Sequence, residues 1–189
     1  MLNVKALTAL LSHNRDDRLC KQWYVMTPNG TLLAHSQPAN ISDLRKHAAV
    51  AAMTWQEHEH QDPHFDGEIR EDNETTNSLH ILTTEADAST TIMRKLQNQV
   101  LLVLEGGVPP RRGAFEKRIT AESADGTQQA WPHDNDGSSI MSNSTGTSAI
   151  AANVLKLQRN KVEALAAAII SDFQKVGFEM PVEGSTTVF

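Results

Sequence analysis

Apolar positions along this chain change period several times, and each change marks an element. Val4, Leu7 and Leu11 fall at i, i+3 and i+7, with Leu10 beside them, which predicts about three turns of helix with one apolar stripe. QWYVMTPNGTLLAHS then gives two short β-prone runs around Thr27-Pro28-Asn29-Gly30, where Pro28 presets φ and Gly30 accepts a left-handed conformation, so a hairpin is expected. Ser42 is a candidate cap for an alanine-rich helix in which Leu44, Ala48, Ala51, Ala52 and Trp55 share one side, and Pro63 ends it. An acidic, loop-like stretch near residues 60–78 follows. SLHILTT, ASTTIMRKLQ and NQVLLVLEG read as three strands, and the unbroken apolar run Val100 to Leu104 predicts a central strand covered on both faces.

From Gly106 to about Gly146 the pattern gives way to Gly, Pro, Ser, Thr and Asn with scattered charge, so residues 107–147 are expected to be a disordered insertion. Gly106-Gly107 would release the chain from the sheet, Pro109-Pro110 would stop further pairing, and Trp131 would face solvent. Helical spacing returns at Leu155, Val162, Leu165, Ile169, Phe173 and Val176, with Ser148 as candidate cap and Gly177 as stop. Residues 179–189 read as a flexible tail. The order α-β-β-α-β-β-β-α predicts one α+β domain over residues 1–178, built on a five-stranded antiparallel sheet with helices on both faces. If the last three strands form a meander, Leu79 to Thr84 lies at a sheet edge, and exposed edges invite pairing with another chain.

Composition removes several functions. Seventeen basic against 23 acidic residues give a net charge of −6, which leaves nucleic acid without its usual electrostatic attraction. Cys20 is the single cysteine, so an intramolecular disulfide and a thiolate cluster are excluded; at the start of the first strand it reads as a small half-buried side chain. The opening MLNVKALTALLSH is interrupted by Lys5 and reads as a helix, not a signal peptide. No run of about 20 apolar residues is present to span a bilayer, and neither the N-myristoylation nor the prenylation pattern occurs.

Candidate chemistry is thin. A phosphate loop needs backbone amides and a Lys-Ser/Thr pair, but Gly106-Gly107 is followed by Val-Pro-Pro, and Arg111 and Arg112 read as linker charges. His58, His60 and His64 suggest a metal site and a metal-dependent hydrolase as an alternative. His58 and His60 point about 200° apart on a helix, however, and Pro63 intervenes between His60 and His64, which favours a solvated helix end. No G-x-S-x-G elbow is present. The residues thus favour a binding module that needs no cofactor, with the alanine-rich helix and the strand Leu79 to Thr84 as its dimerisation surface.

KALTALLS at the start, NGTLLAHS in the hairpin, AAMTWQEHE, LHILTTEADASTTIMRKLQ and VLLVLEG resemble roadblock/LC7-domain proteins. Within that family they resemble the second roadblock subunit of Ragulator (LAMTOR) complexes, of fungal type. The similarity covers residues 1 to about 106 and, more loosely, Ala151 to Phe178; the acidic loop and the insertion are longer than the family pattern. The resemblance implies the profilin-like roadblock fold, with one helix on one face of five strands and two on the other. It implies pairing through the helix between strands two and three and through strand three, which here brings in Leu44, His47, Ala48, Ala51, Ala52, Trp55, Leu79, His80, Ile81 and Leu82. It also implies a non-catalytic scaffold, bound to a second roadblock subunit and a lipidated subunit at the cytoplasmic face of the late endosome, lysosome or vacuole. There the assembly recruits Rag-type GTPases for amino-acid signalling to TORC1. Other roadblock or longin-type adaptors, such as a dynein light chain or a small-GTPase regulator subunit, are the alternative within the same class.

Overall fold

A computed structural model describes residues 2–59, 78–108, 117–131 and 146–180. Helix α1 spans Val4–His13, strands β1 and β2 span Gln22–Met26 and Leu32–His35, and helix α2 spans Ile41–Glu59. Strands β3, β4 and β5 follow at Leu79–Glu85, Ser89–Gln97 and Val100–Gly107. Two further strands, β6 at Arg118–Ser123 and β7 at Gln128–Trp131, precede helix α3 at Gly146–Lys175. Among the described residues the strands form one antiparallel sheet of seven, ordered β2-β1-β5-β4-β3-β6-β7.

The sheet has two apolar faces because its strands alternate within continuously apolar runs. In β5, Leu102 and Leu104 join Trp23, Val25, Ile81 and Ile92 beneath α1 and α3, while Leu101 and Val103 join Tyr24, Met26, Leu82 and Met93 beneath α2. Helices α1 and α3 contribute Leu7, Leu11, Val162, Leu165, Ile169 and Phe173 to the first core. The stripe on each of these helices is shorter than expected, since Val4 at the start of α1 is solvent-exposed and Val176, also exposed, lies just past the end of α3.

Local signals place the elements. Asn3 caps α1, its side-chain oxygen accepting the Ala6 amide at 3.1 Å. The hairpin turn is as expected: the Gly30 amide donates to the Thr27 carbonyl at 2.9 Å, and Gly30 has φ +87°. Asn40 rather than Ser42 caps α2, since its carboxamide oxygen accepts from the Ser42 amide and its backbone carbonyl from Leu44. Helix α3 begins at Gly146, so Ser148 lies inside it. Its end is a Schellman motif, in which Phe178 N–H donates to Phe173 C=O, Gly177 N–H donates to Gln174 C=O, and the Phe173 and Phe178 rings meet at 4.9 Å.

Two expectations are corrected by the tertiary structure. Gly106 and Gly107 do not release the chain; they belong to β5 and pair with Thr90 and Ser89. They are glycines because other parts of the chain approach them closely, α3 and the Leu19 carbonyl at Gly106 and the Arg18 carbonyl and Lys21 side chain at Gly107. Gln158, buried in α3, donates from Nε2 to the carbonyls of Leu19 (2.7 Å) and Gly107 (2.9 Å), leaving no room for a Cβ on Gly106. The second correction lies within 107–147, where residues 118–131 form an ordered hairpin, turned by Asp125 and Gly126 (φ +86°). Residues 109–116 and 132–145 lie outside the described residues, as do Pro109, Pro110, Arg111, Arg112, the acidic loop at 60–77, the 181–189 segment and the Trp131 side chain.

Candidate interaction surface

Helix α2 divides its surface sharply. Leu44, Ala48, Ala51, Trp55 and His58 recur at i, i+4, i+7, i+11 and i+14, and with Ala52 they are buried against the sheet. The alanines admit the β1–β2 turn, since a Cβ on Gly30 would sit 3.4 Å from that of Ala52, and Gln56 Nε2 donates to the Pro28 carbonyl at 3.1 Å. On the opposite side Val50 and Met53, three residues apart, are 57% and 64% exposed, an apolar pair facing solvent. Of the α2 residues assigned to the dimer surface from sequence, His47 alone is exposed; Leu44, Ala48, Ala51, Ala52 and Trp55 are spent on the chain's own core. The Trp55 indole is fully buried, and its N–H has no acceptor among the described residues.

Strand β3 is not an edge. It pairs with β4 on one side and with β6 on the other, from Leu79↔Ser123 to Glu85↔Arg118. Leu79, Ile81 and Leu82 are buried and His80 is half-buried. The meander that would have left β3 open exists, but the hairpin within residues 107–147 closes it. Asp125-Gly126 between two β-prone runs was the signal for that hairpin in the sequence.

Beside α2 a cleft of about 310 Å³ opens onto the sheet, lined among others by Tyr24, His47, Val50, Thr84, Met93 and Glu105. Tyr24 Oη donates to Glu105 Oε1 at 2.9 Å, and His47 Nδ1 lies 2.9 Å from Glu105 Oε2. Burial, and then the Glu105 charge, push the Tyr24 hydroxyl far above its usual range, so it stays a neutral donor. The three groups tie α2 to β1 and β5 in fixed geometry.

On the other face Arg94, buried, meets Glu163 of α3 at 3.1 Å and donates from Nη1 to His80 Nδ1 at 3.1 Å. Burial and then the Arg94 charge hold the His80 pKa below its ordinary value. Of the metal candidates, His58 turns inward, its Nδ1 2.8 Å from the Thr54 carbonyl, while His60 and His64 lie outside the described residues. No cluster of three metal-ligating side chains occurs among the described residues, and no described helix is long and apolar enough to cross a membrane.

No protein-family model and no curated protein matches the chain. Among solved structures it is similar to Myxococcus xanthus MglB, with a TM-score of 0.52 and 13% identity over 96% of this chain and 97% of that one. It also matches a Roadblock/LC7 domain from Streptomyces avermitilis (TM-score 0.41, 13% identity, 53% of this chain and 77% of that one). A third match is an MglB with a tetrameric arrangement (TM-score 0.39, 15% identity, 55% and 72%). The full-length similarity to the first of these agrees with the helix-sheet-helix layering and strand order: the chain has the α+β roadblock/LC7 fold, enlarged at one sheet edge by its own hairpin.

Proposed function

We propose that this chain is a non-catalytic scaffold subunit of a Ragulator-like assembly, pairing with a second roadblock subunit and helping to recruit Rag-type GTPases to the lysosomal or vacuolar membrane. The observation that carries the reading is the solvent face of α2, where Val50 and Met53 stand exposed on the helix that roadblock proteins use for pairing. Exposed neighbouring apolar side chains on a rigid helix form the kind of centre around which an interface packs. The pairing surface is thus proposed on Val50, Met53 and His47, not on the buried row Leu44, Ala48, Ala51, Ala52 and Trp55. Membrane attachment comes from a lipidated partner subunit, and the signal served is amino-acid supply to TORC1.

Affinity purification of the full chain from its native cells tests this. The unaltered chain should bring down a second roadblock subunit, a lipidated subunit and Rag-type GTPases. Val50→Glu with Met53→Glu should reduce recovery of the roadblock partner by about 30-fold or more, the effect of losing roughly 2 kcal/mol at an interface centre. Unchanged recovery would remove α2 from the interface, and a dynein intermediate chain in place of Rag-type GTPases would overturn the Ragulator assignment.

A further inference from the structure

The sheet face beneath α2 changes character from one cross-strand row to the next. One row runs Tyr24, Val103, Met93, Leu82 and Ala121 from β1 to β6, and all of it is buried core. A shift of two residues along each strand keeps the same face and gives the row Gln22, Glu105, Thr91, Thr84 and Ile119, polar in all but its last member. Helix α2 covers the first row and borders the second. The cleft of about 310 Å³ opens over that polar row, with His47, Val50, Ala51 and Thr54 of α2, at i, i+3, i+4 and i+7, as its wall.

The two ends of the cleft carry opposite charge. At the β5 end each Glu105 oxygen has one partner, Tyr24 Oη on Oε1 and His47 Nδ1 on Oε2, which leaves lone pairs on both. A carboxylate only accepts, so His47 holds its proton on Nδ1, and the neutral ring keeps Nε2 as a further acceptor. At the other end stands Lys117, exposed and outside the ion pairs formed among the described residues. Strands β4 and β3 lie between β5 and β6, so the two charges rise from backbones three spacings, about 14 Å, apart. The space between them is lined by apolar Val50, Ala51 and Met93 and by Thr84 and Thr91, which face each other across β3 and β4. Thr84 Oγ1 is enclosed without a partner among the described residues, a costly state for a hydroxyl, and a turn about χ1 brings it to the cleft.

We propose that this cleft binds a small zwitterion of the kind a free α-amino acid presents. The ligand's ammonium donates to Glu105, its carboxylate accepts from Lys117 and the Thr84 hydroxyl, and a short apolar side chain lies against Val50, Ala51 and Met93. A molecule of one sign is attracted at one end of the cleft and repelled at the other, whereas a zwitterion matches both. The volume stands at the small end of ligand pockets, which suits a molecule of this size. The site is complete within one chain. His47 and Val50 also belong to the proposed pairing face, so binding is measured on the chain without partners, and its failure leaves the pairing reading untouched.

NMR titration of the purified full chain near pH 7 with L-valine, isobutylamine and isovalerate tests the site, because the three share a branched apolar group and carry both charges, the cation alone and the anion alone. Valine should bind with a dissociation constant on the order of millimolar, shifting the amides of Thr84, Thr91 and Lys117, and each analogue should bind at least about tenfold more weakly. Lys117→Ala should weaken valine about tenfold and leave isobutylamine unchanged, while Glu105→Gln should weaken valine and leave isovalerate no weaker. No saturable shifts up to about 50 mM valine, valine no tighter than its analogues, or valine binding indifferent to Lys117→Ala overturns the proposal.

Discussion

Gly106→Ala is the sharpest test of the packing between α3 and the sheet. A Cβ at this position would lie 2.2 Å from Gln158 Nε2, 2.9 Å from Gln158 Cδ and 2.5 Å from the Leu19 carbonyl oxygen. Gln158 can retract only by giving up its bonds to the carbonyls of Leu19 and Gly107, about 1 kcal/mol each. The Leu19 carbonyl belongs to a backbone turn that Asp16 fixes, its Oδ1 accepting the amides of Arg18 (2.7 Å) and Leu19 (3.3 Å), so moving it adds roughly 1–3 kcal/mol of overpacking. The sum is about 3–5 kcal/mol, a large part of the stability of an ordinary domain. Urea unfolding followed by tryptophan fluorescence should show the midpoint falling by about 1.5–2.5 M for a slope near 2 kcal/mol/M. Gln158→Ala added to Gly106→Ala should recover part of the loss, because it removes two of the three clashes while leaving that with Leu19. A loss below about 0.5 kcal/mol, or no coupling between the two substitutions, would refute the close crossing.

Trp55→Ala should lower stability by about 3–5 kcal/mol in the isolated chain, as for any fully buried aromatic; a variant that unfolds like the parent and loses only its partner would return Trp55 to the interface. Trp55→Phe should cost distinctly less, because it also removes an indole N–H that has no acceptor among the described residues. Acidification should act through His80. Its folded pKa lies below the ordinary 6.5, so the unfolded chain takes up the proton first, and this contribution is present above that pH and lost as pH falls toward the folded pKa. Thermal melts between pH 7.5 and 5 should therefore decline more steeply for the parent than for His80→Asn, and equal slopes would show that Arg94, Glu163 and Lys95 do not bias the ring.

Hydrophobic period and turn chemistry are local, and they were enough to predict the three helices, five of the strands and the order that gives an α+β roadblock/LC7 fold. The Thr27-Pro28-Asn29-Gly30 turn, the continuously apolar β5 and the Gly177 stop are decided by a few neighbouring residues, so the sequence determines them unaided. The face on which a residue serves is a different matter. Leu44, Ala48, Ala51, Ala52 and Trp55 form the same stripe whether a helix packs on its own sheet or on a partner, and only the sheet beneath α2 decided that they are core and that Val50 and Met53 are left outside. Edge status is likewise nonlocal. Nothing within Leu79–Glu85 says whether its outer hydrogen bonds go to another chain or to β6, because that ladder is made by backbone groups every residue possesses. Gly106 looks the same in sequence whether it ends a strand or receives a crossing helix; Gln158, some fifty residues away, makes the difference.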